Sequence, residues 1–357
     1  MDFLTKLWNY IKVKISGDTQ TQKSPVKKTN VKSPIFNPPT KKTDPNEITM
    51  MNEISDEQIQ TNNTRSKYII TTKNPNYKIK NGDTPDKIAK KFGVELKSLL
   101  ALNGLNKNTA TKLKIGQTLK IPPTRKAKNV NNLNDIAKSM GVSLDFIKKL
   151  KKVEDSSHLP ENKFHNTPYK DKAGVLTIGI GHVLKKGDPR ELTNKQVCEL
   201  CANDLLKMEE NLKVLLGGQK NYDKLPQSMK EALLDMTFNK GTSIIEDTPG
   251  LLYCLKSGKY EAAINKFTNV KSSTTKKEMA GLCKRRLFDI SLATKMYGNK
   301  IPQSNINTAQ QIYNKGAELL RIECQKEGKN FAAQIQGYNK DIQNYFGNRI
   351  KLKLITK

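Results

Sequence analysis

The chain has 357 residues, enough for two or three domains, and its 36% hydrophobic and 6% aromatic content excludes one large core while leaving room for solvated segments. Its 63 Lys and Arg against 34 Asp and Glu give a net charge of +29, which calls for a polyanionic partner or surface. The basic residues are spread along the chain without an aromatic-interleaved RNA-binding signature, so no specific nucleic acid is expected as a partner. No apolar run approaches the roughly 18 residues of a membrane-crossing helix.

Residues 1–15, MDFLTKLWNYIKVKI, place Phe3, Leu4, Leu7, Trp8 and Ile11 at helical spacing among Asp2, Lys6 and Lys12. This amphipathic segment suits docking on a partner or a membrane surface as well as it suits a weakly ordered terminus. It lacks the continuous apolar stretch and small-residue cleavage site of a signal peptide. Residues 16–76 are rich in Lys, Thr, Asn, Pro and Ser. Such a stretch buries too little apolar surface to offset its ordering entropy and reads as a flexible linker.

Order is expected from Tyr77. Tyr77 and Ile79 alternate as on a half-buried strand, Gly82-Asp83-Thr84 makes a turn, and Asp83 or Thr84 can cap a helix with Pro85 in its first turn. Ile88, Ala89 and Phe92 form that helix's apolar face and Gly93 ends it; Leu96, Leu99 and Leu100 form a second. Leu119 and Ile121 supply a return strand that Pro122 stops. The GDT turn, IAKKFGV helix, LLALNGL segment and LKIGQTLKIP ending closely resemble the LysM family across residues 77–123. That resemblance implies a βααβ module that binds N-acetylglucosamine-containing glycans, with Gly82, Asp83, Thr84, Asn103, Gly104 and Leu105 as candidate contacts.

Residues 124–145 are a connector. Within it IAKSMGVSLDFIKKL (136–150) echoes IAKKFGVELKSLL (88–100) without the GDT turn or the terminal strand. The echo fits a decayed second module less well than a plain helix-turn-helix leading into the next domain.

Phe146, Ile147, Leu150 and Val153 then mark a helix with Glu154 at its end, followed by polar residues, Tyr169-Lys170-Asp171, a turn at Gly174 and an apolar run ending Gly-Ile-Gly-His. A carboxyl at a helix end facing a hairpin that carries a second carboxyl suits glycoside hydrolysis, which needs one group protonated and one ionised. The YKDKAGVLTIGIGH run resembles the phage-type lysozymes, glycoside hydrolase family 24. By that resemblance Glu154 is the general acid, Asp171 the second carboxylate and Thr177 a residue that holds the attacking water. The family inverts configuration, which implies carboxyls roughly 6.5–9.5 Å apart. The chain departs from the family after Glu154, where Asp155 replaces the usual Gly and the connection is longer. Glu161 is nearer the usual spacing from Asp171. Glu154 is preferred because LKKVE keeps the family's Leu-to-Glu spacing, whereas Glu161 follows Pro160 in a loop.

Further on, Thr193 and Gln196 form a capping-box pattern. The helix they open carries Cys198 and Cys201, a lone CxxC among five cysteines that reads as buried reduced thiols, so no metal is assigned. By the resemblance Asp204 pairs with His182 as a structural salt bridge, the Phe238-Asn239-x-Gly241 turn ends a long central helix, and Asp289 replaces the family's Glu in GLCKRRLFDISLA. Arg285 and Arg286 there close the domain or contact glycan, and Asn239 is a candidate glycan contact. The resemblance covers residues 146–297. In 298–357 two amphipathic helices are expected, broken near Gly328, to pack on the lysozyme domain or engage a partner.

The expected whole is α+β and mostly helical: a small βααβ LysM module before a bilobed phage-lysozyme-like domain. The resemblance implies a muramidase that cleaves peptidoglycan between N-acetylmuramic acid and N-acetylglucosamine without a cofactor. Its partners are then peptidoglycan glycan strands, with other virion proteins conceivable through the terminal segments. Made in a host cytoplasm without a signal peptide, it would reach the wall after holin release, lysis or delivery with a phage particle. The rival reading is a non-catalytic wall-binding virion protein that keeps the lysozyme fold. Nucleic-acid binding rests on charge alone, and a lytic transglycosylase fits the Asp171-to-Thr177 spacing less well than a hydrolase.

Overall fold

The computed structural model describes residues 65, 67–71, 76–106, 109, 113–154, 159–171, 174–272 and 277–356. The amphipathic segment 1–15 and nearly all of the expected linker lie outside the described residues. By its contacts the chain divides into 1–53, outside the described residues, and 54–357, which holds every element below.

The first elements are β1 (Ile69–Thr71), β2 (Asn76–Lys78), α1 (Pro85–Phe92), α2 (Leu96–Leu102), β3 (Thr118–Lys120) and β4 (Arg125–Ala127). A helical pair and a hairpin sheet follow: α3 (Leu133–Met140), α4 (Leu144–Glu154), β5 (His165–Lys170), β6 (Leu176–Gly179) and β7 (His182–Val183). The helical body comprises α5 (Asn194–Leu216), α6 (Gln219–Asp223), α7 (Gln227–Lys240), α8 (Ser243–Glu246), α9 (Leu251–Lys256), α10 (Tyr260–Ile264) and α11 (Ala280–Ala293). A 3-10 turn at Thr294–Tyr297 leads to α12 (Gln303–Glu327) and α13 (Phe331–Phe346).

The βααβ module has its own small core. Antiparallel β2 and β3 pair Tyr77 with Leu119, and Ile79, Ile88, Leu99 and Ile121 are buried behind them. The Thr84 hydroxyl caps α1 by accepting from Lys87 N, and Gly93, at φ 64°, closes it in the left-handed conformation that a glycine adopts without steric cost. The same local geometry recurs between α3 and α4, where Gly141 takes φ 62° after the Asn132-capped helix. The echo in the sequence is thus a repeated helix-turn-helix, and in its second use the helices join the main core through Leu133, Ile136, Phe146, Ile147 and Leu150.

One stretch of the expected linker is ordered. Residues 69–71 form β1, antiparallel to β4, with Ile69 opposite Ala127 and Thr71 opposite Arg125. The chain therefore enters and leaves the LysM module through one ribbon. Arg65 and Arg125 flank that ribbon and both reach Glu209 of α5, a buried carboxylate that also meets Lys213 at 3.1 Å. Burial pushes the Glu209 carboxyl up, and Arg65, Lys213 and Arg125 together more than reverse it, so its pKa lies below the ordinary range.

The main core is helical. Both α7 and α11 are buried along most of their length, and α5 lies against α3, α7 and β4. Residues 303–356 belong to this same core: Ile312, Tyr313, Ile335, Ile342, Phe346 and Ile350 are buried in it. A glycine allows the approach, since a Cβ at Gly316 would lie 2.0 Å from the Tyr338 hydroxyl and 2.8 Å from Cys283 Cβ. The C-terminal strip then ties α12 to α13, with Ile355 N donating to the Tyr313 hydroxyl and Asn339 Nδ2 to Ile355 O.

Candidate active site

Glu154 is the last residue of α4, where the partial negative charge of the helix terminus disfavours a carboxylate. Its side chain is 18% exposed and lies between the hairpin sheet and the helical body. Gly181 makes room for it: a Cβ there would stand 2.8 Å from Glu154 Oε2 and 3.1 Å from the Phe238 ring. Arg285 Nη1 lies 2.8 Å from Glu154 Oε1, but off the line of a good hydrogen bond. The same guanidinium forks onto the fully buried Asp235, Nε donating to Oδ2 and Nη2 to Oδ1 at 2.7 Å. Arg285 thus faces two carboxyls, and its well-formed bidentate contact goes to Asp235. Burial raises the Glu154 pKa, the Arg285 charge opposes this, and Asp235 and Asp171 add to the rise. The net result is a carboxyl held above its usual range, as a proton donor requires.

Asp171 sits at the hairpin turn between β5 and β6. Its Oδ1 accepts from Val175 N at 2.8 Å, and its backbone N–H donates to Val175 O. Thr177 is buried on the central strand β6, opposite Tyr169, with its hydroxyl donating to Val175 O at 3.1 Å. The chain brings Glu154, Asp171 and Asp235 near enough for their charges to be felt at Glu154. Glu161 is placed differently: its side chain is 59% exposed and pairs with Lys148 at 3.0 Å.

His182 Nδ1 lies 2.8 Å from Asp204 Oδ2, and Nε2 lies 3.3 Å from Asp188 Oδ2, so two acids clamp β7 to α5 and to the following loop. The hydrogen bond to Asp204 is the main reason that the histidine pKa is raised; partial burial opposes it. Arg286 is fully buried and sits 2.8 Å from Asp289 within α11, with a long 3.4 Å contact from Nη2 to Asn239 Oδ1. Of the two roles expected of it, its burial supports closing the domain and leaves no surface for glycan. Arg285, at 7% exposure, touches Glu154 rather than solvent.

In the LysM module Asp83 Oδ2 accepts from the Tyr77 hydroxyl at 2.7 Å and from Lys80 N at 2.8 Å, and Gly82, at φ 79°, turns the chain. The carboxyl pKa of Asp83 is lowered, first by the Lys80 N–H and then by Tyr77. Asn103 Nδ2 donates to Leu99 O and Lys120 O, while its Oδ1 accepts from Lys120 N. Lys120 pairs with Asn76, so Asn103 staples the ribbon end remote from the Gly82–Thr84 turn. Gly104 takes φ 62° and Leu105 packs on the small core. Beside the turn stand Gly116 and Gln117, which bond Ile79.

Sequence reasoning missed Asp235 and the contact of Arg285 with Glu154. An acid on the otherwise apolar face of MKEALLDMTF was the available signal. Gly181 stands in the GIGH motif, but its role as a gap for the Glu154 carboxyl shows only in three dimensions.

Residues 161–288 match the family model for phage lysozyme, and residues 77–122 match that for the LysM domain. The fold is similar to the muramidase domain of SpmX from Asticcacaulis excentricus, at 21% identity over 43% of this chain and 96% of that one, TM-score 0.33. It is similar to the active form of P1 phage endolysin Lyz, at 16% identity over 47% and 96%, TM-score 0.38. A point mutant of P22 lysozyme is similar at 25% identity over 41% and 92%, TM-score 0.30. No curated protein matches the chain. Residues 77–122 are thus a LysM domain, and residues 161–288 belong to the phage lysozyme family.

Proposed function

We propose that the chain is an N-acetylmuramidase that hydrolyses the β-1,4 bond between N-acetylmuramic acid and N-acetylglucosamine in peptidoglycan. The observation that carries this reading is the Glu154 carboxyl, shielded from solvent and held above its usual pKa beside an arginine that forks onto Asp235. Glu154 donates its proton to the glycosidic oxygen as the bond breaks. Asp171, on the hairpin turn, takes the part of the ionised carboxylate that orients and deprotonates the attacking water, with Thr177 beside it. Water bonds to the anomeric carbon on the face opposite the leaving sugar, giving inversion. His182 and Asp204 hold the hairpin against α5 and are not in the chemistry. The LysM domain grips the glycan and raises its local concentration. The family relationship supports lysozyme-type hydrolysis; the bond cleaved, and action as an endolysin or as a particle-borne lysozyme, belong to this proposal.

The test is clearing of purified peptidoglycan by the wild type and by Glu154→Gln, Asp171→Asn and Glu161→Gln, with mass analysis of the released fragments. The proposal expects reducing muropeptides from the wild type and Glu161→Gln, and a loss of at least about a hundredfold with the other two. Products ending in anhydromuramic acid would make the enzyme a transglycosylase. Binding without release of fragments would make it a wall adhesin on a lysozyme scaffold.

A further inference from the structure

A cleft of about 520 Å³ opens on the lysozyme domain beside the first turn of α4, ten residues before Glu154 and hence about 15 Å from it along the helix. One wall comes from the connector, at Asn131 to Asn134 and Leu144; the other comes from the lengthened connection after Glu154, at Glu161, Asn162 and Phe164; Asn194 at the start of α5 closes it. The lining is unusual for this chain. In a protein of net charge +29 the described lining residues include no lysine or arginine, and Glu161 is their one charged group. Five of them are asparagines.

Several of these amides are held in place by one end. Asn131 Nδ2 donates to Asn129 O at 3.2 Å, which leaves Oδ1 as an acceptor; Asn129 itself is in the left-handed conformation at φ 55°. Asn132 Oδ1 accepts from Asp135 N at 3.0 Å, and Asn194 Oδ1 accepts from Asn166 Nδ2 at 3.0 Å, which leaves their amino groups as donors. Asn131, Asn132, Asn134, Asn162 and Asn194 are all exposed, so these groups meet solvent. Below them Leu133 is buried, and Leu144 and Phe164 are half-buried, the Phe164 ring backed by Lys151 Nζ at 5.6 Å from its centroid. Three tethered amides beside buried and half-buried apolar side chains, in a cleft of this volume, suit a small ligand at a reduced ordering cost.

We infer that this cleft binds an N-acetylated hexosamine of a glycan strand at a position separate from the catalytic carboxyls. An acetamido group needs one donor for its carbonyl and one acceptor for its N–H, and ring hydroxyls need both kinds. The tethered asparagines provide that mixture, Glu161 adds an acceptor, and the Phe164 ring offers a flat apolar surface to a sugar face. Phosphate-rich polymers are disfavoured because the described lining itself has no cation and Lys148 beside it is already paired with Glu161. A stem peptide shares the amide chemistry but has no sugar face to lay against the Phe164 ring. The identification of the glycan as peptidoglycan rests on the proposed function; the cleft's preference for an acetamido sugar does not.

The experiment is NMR titration of the full chain carrying Glu154→Gln, with asparagine side-chain amides labelled and assigned by single Asn→Asp substitutions. The probes are chitotetraose, maltotetraose and a free stem tetrapeptide. Chitotetraose is expected to shift the amide signals of Asn134, Asn162 and Asn194 in a saturable way, while maltotetraose, which lacks acetamido groups, does not. Asn162→Ala and Phe164→Ala should each weaken that titration by about fivefold; the exposed Asn162→Ala should leave the heat-unfolding midpoint unchanged, whereas Phe164→Ala, which removes a ring packed on the core, should lower it. In the Glu154-containing chain the same substitutions should leave cleavage of short soluble glycan intact. The inference is overturned if these signals stay still while the LysM domain responds, or if maltotetraose or the stem peptide moves them as well as chitotetraose does. Saturable shifts, combined with a Glu154-containing chain that cleaves no peptidoglycan, would sink the muramidase reading and leave the cleft assignment standing.

Discussion

Replacing Asp235 by Asn removes the carboxylate onto which the Arg285 guanidinium forks, and the guanidinium then turns its full charge on Glu154. Asp235 now raises the Glu154 pKa and Arg285 lowers it, so the substitution moves that pKa down. A general acid must be protonated to act, so the alkaline limb of the clearing rate shifts to lower pH, and activity at neutral pH falls. Removing one partner of a buried ion pair also destabilises by about 3–5 kcal/mol, so the pH profile, rather than a single rate, is the measurement that isolates the electrostatic effect. Arg285→Gln should move the same limb to higher pH. An unmoved limb in both variants would show that Glu154 is not the acid. His182 gives a second pH signature. Its folded pKa lies above the ordinary 6.5, chiefly through Asp204. A raised base stabilises the fold fully below that ordinary value and loses the contribution as pH climbs through the folded pKa. Thermal melts between pH 5 and 9 should therefore show the wild type losing stability over that window, and His182→Gln should flatten this slope while leaving Glu154 in place.

At the scale of elements, α12 and α13 show how a segment without a recognisable motif becomes part of the main core. Their apolar faces cover α11 inside the chain, which favours packing on the domain over docking a partner. The phage lysozyme match stops at residue 288, within α11, so the elements that cover that helix come from outside the matched span. Gly316→Ala should cost about 1–3 kcal/mol from overpacking against Tyr338 and Cys283, read as a lowered unfolding midpoint, and Gly337→Ala, with open space around it, should cost far less. Truncation after Gly298 should give an insoluble or unfolded chain, because it uncovers Phe288 and Leu287.

These helices were legible in the sequence because Ile312, Leu319, Leu320, Ile335 and Ile342 keep helical spacing, and the LysM elements because each turn carries its own cap. β1 was not legible. Its partner, β4, lies 56 residues away, and a three-residue strand inside a polar stretch has no periodicity to betray it. The candidate site divides in the same way. Asp171, Thr177 and His182 sit in one contiguous run, whereas Asp235 and Arg285 come from helices α7 and α11 and meet Glu154 only through packing. The family match itself begins at residue 161, so the assignment of Glu154 rests on its burial and its neighbours, while Glu161, inside the matched span, faces solvent.

For the whole molecule, the ribbon of β1 and β4 makes the LysM domain removable. Thr71 stands opposite Arg125 at the mouth of the ribbon, so a two-residue Asn-Gly turn can replace residues 72–124 and close a hairpin in register. The base of that hairpin stays anchored through Arg65 and Arg125 on Glu209. The ion pairs that join the module to the helical body, Lys97 with Glu246 and Lys207 with Glu95, are exposed and contribute little to stability. The excised chain is therefore expected to melt within a few degrees of the parent and to cleave short soluble glycan at the same rate. On intact walls it should be slower by about a hundredfold or more, because tethering acts through effective concentration and leaves the carboxyls untouched. Salt should separate the two contributions to wall binding. Adsorption driven by the +29 charge is screened by added salt, whereas glycan gripping by the LysM domain is not, so the advantage of the full chain over the excised one should widen between about 50 and 500 mM NaCl. Equal rates for both chains on walls at every salt concentration would show that charge alone brings this enzyme to its substrate.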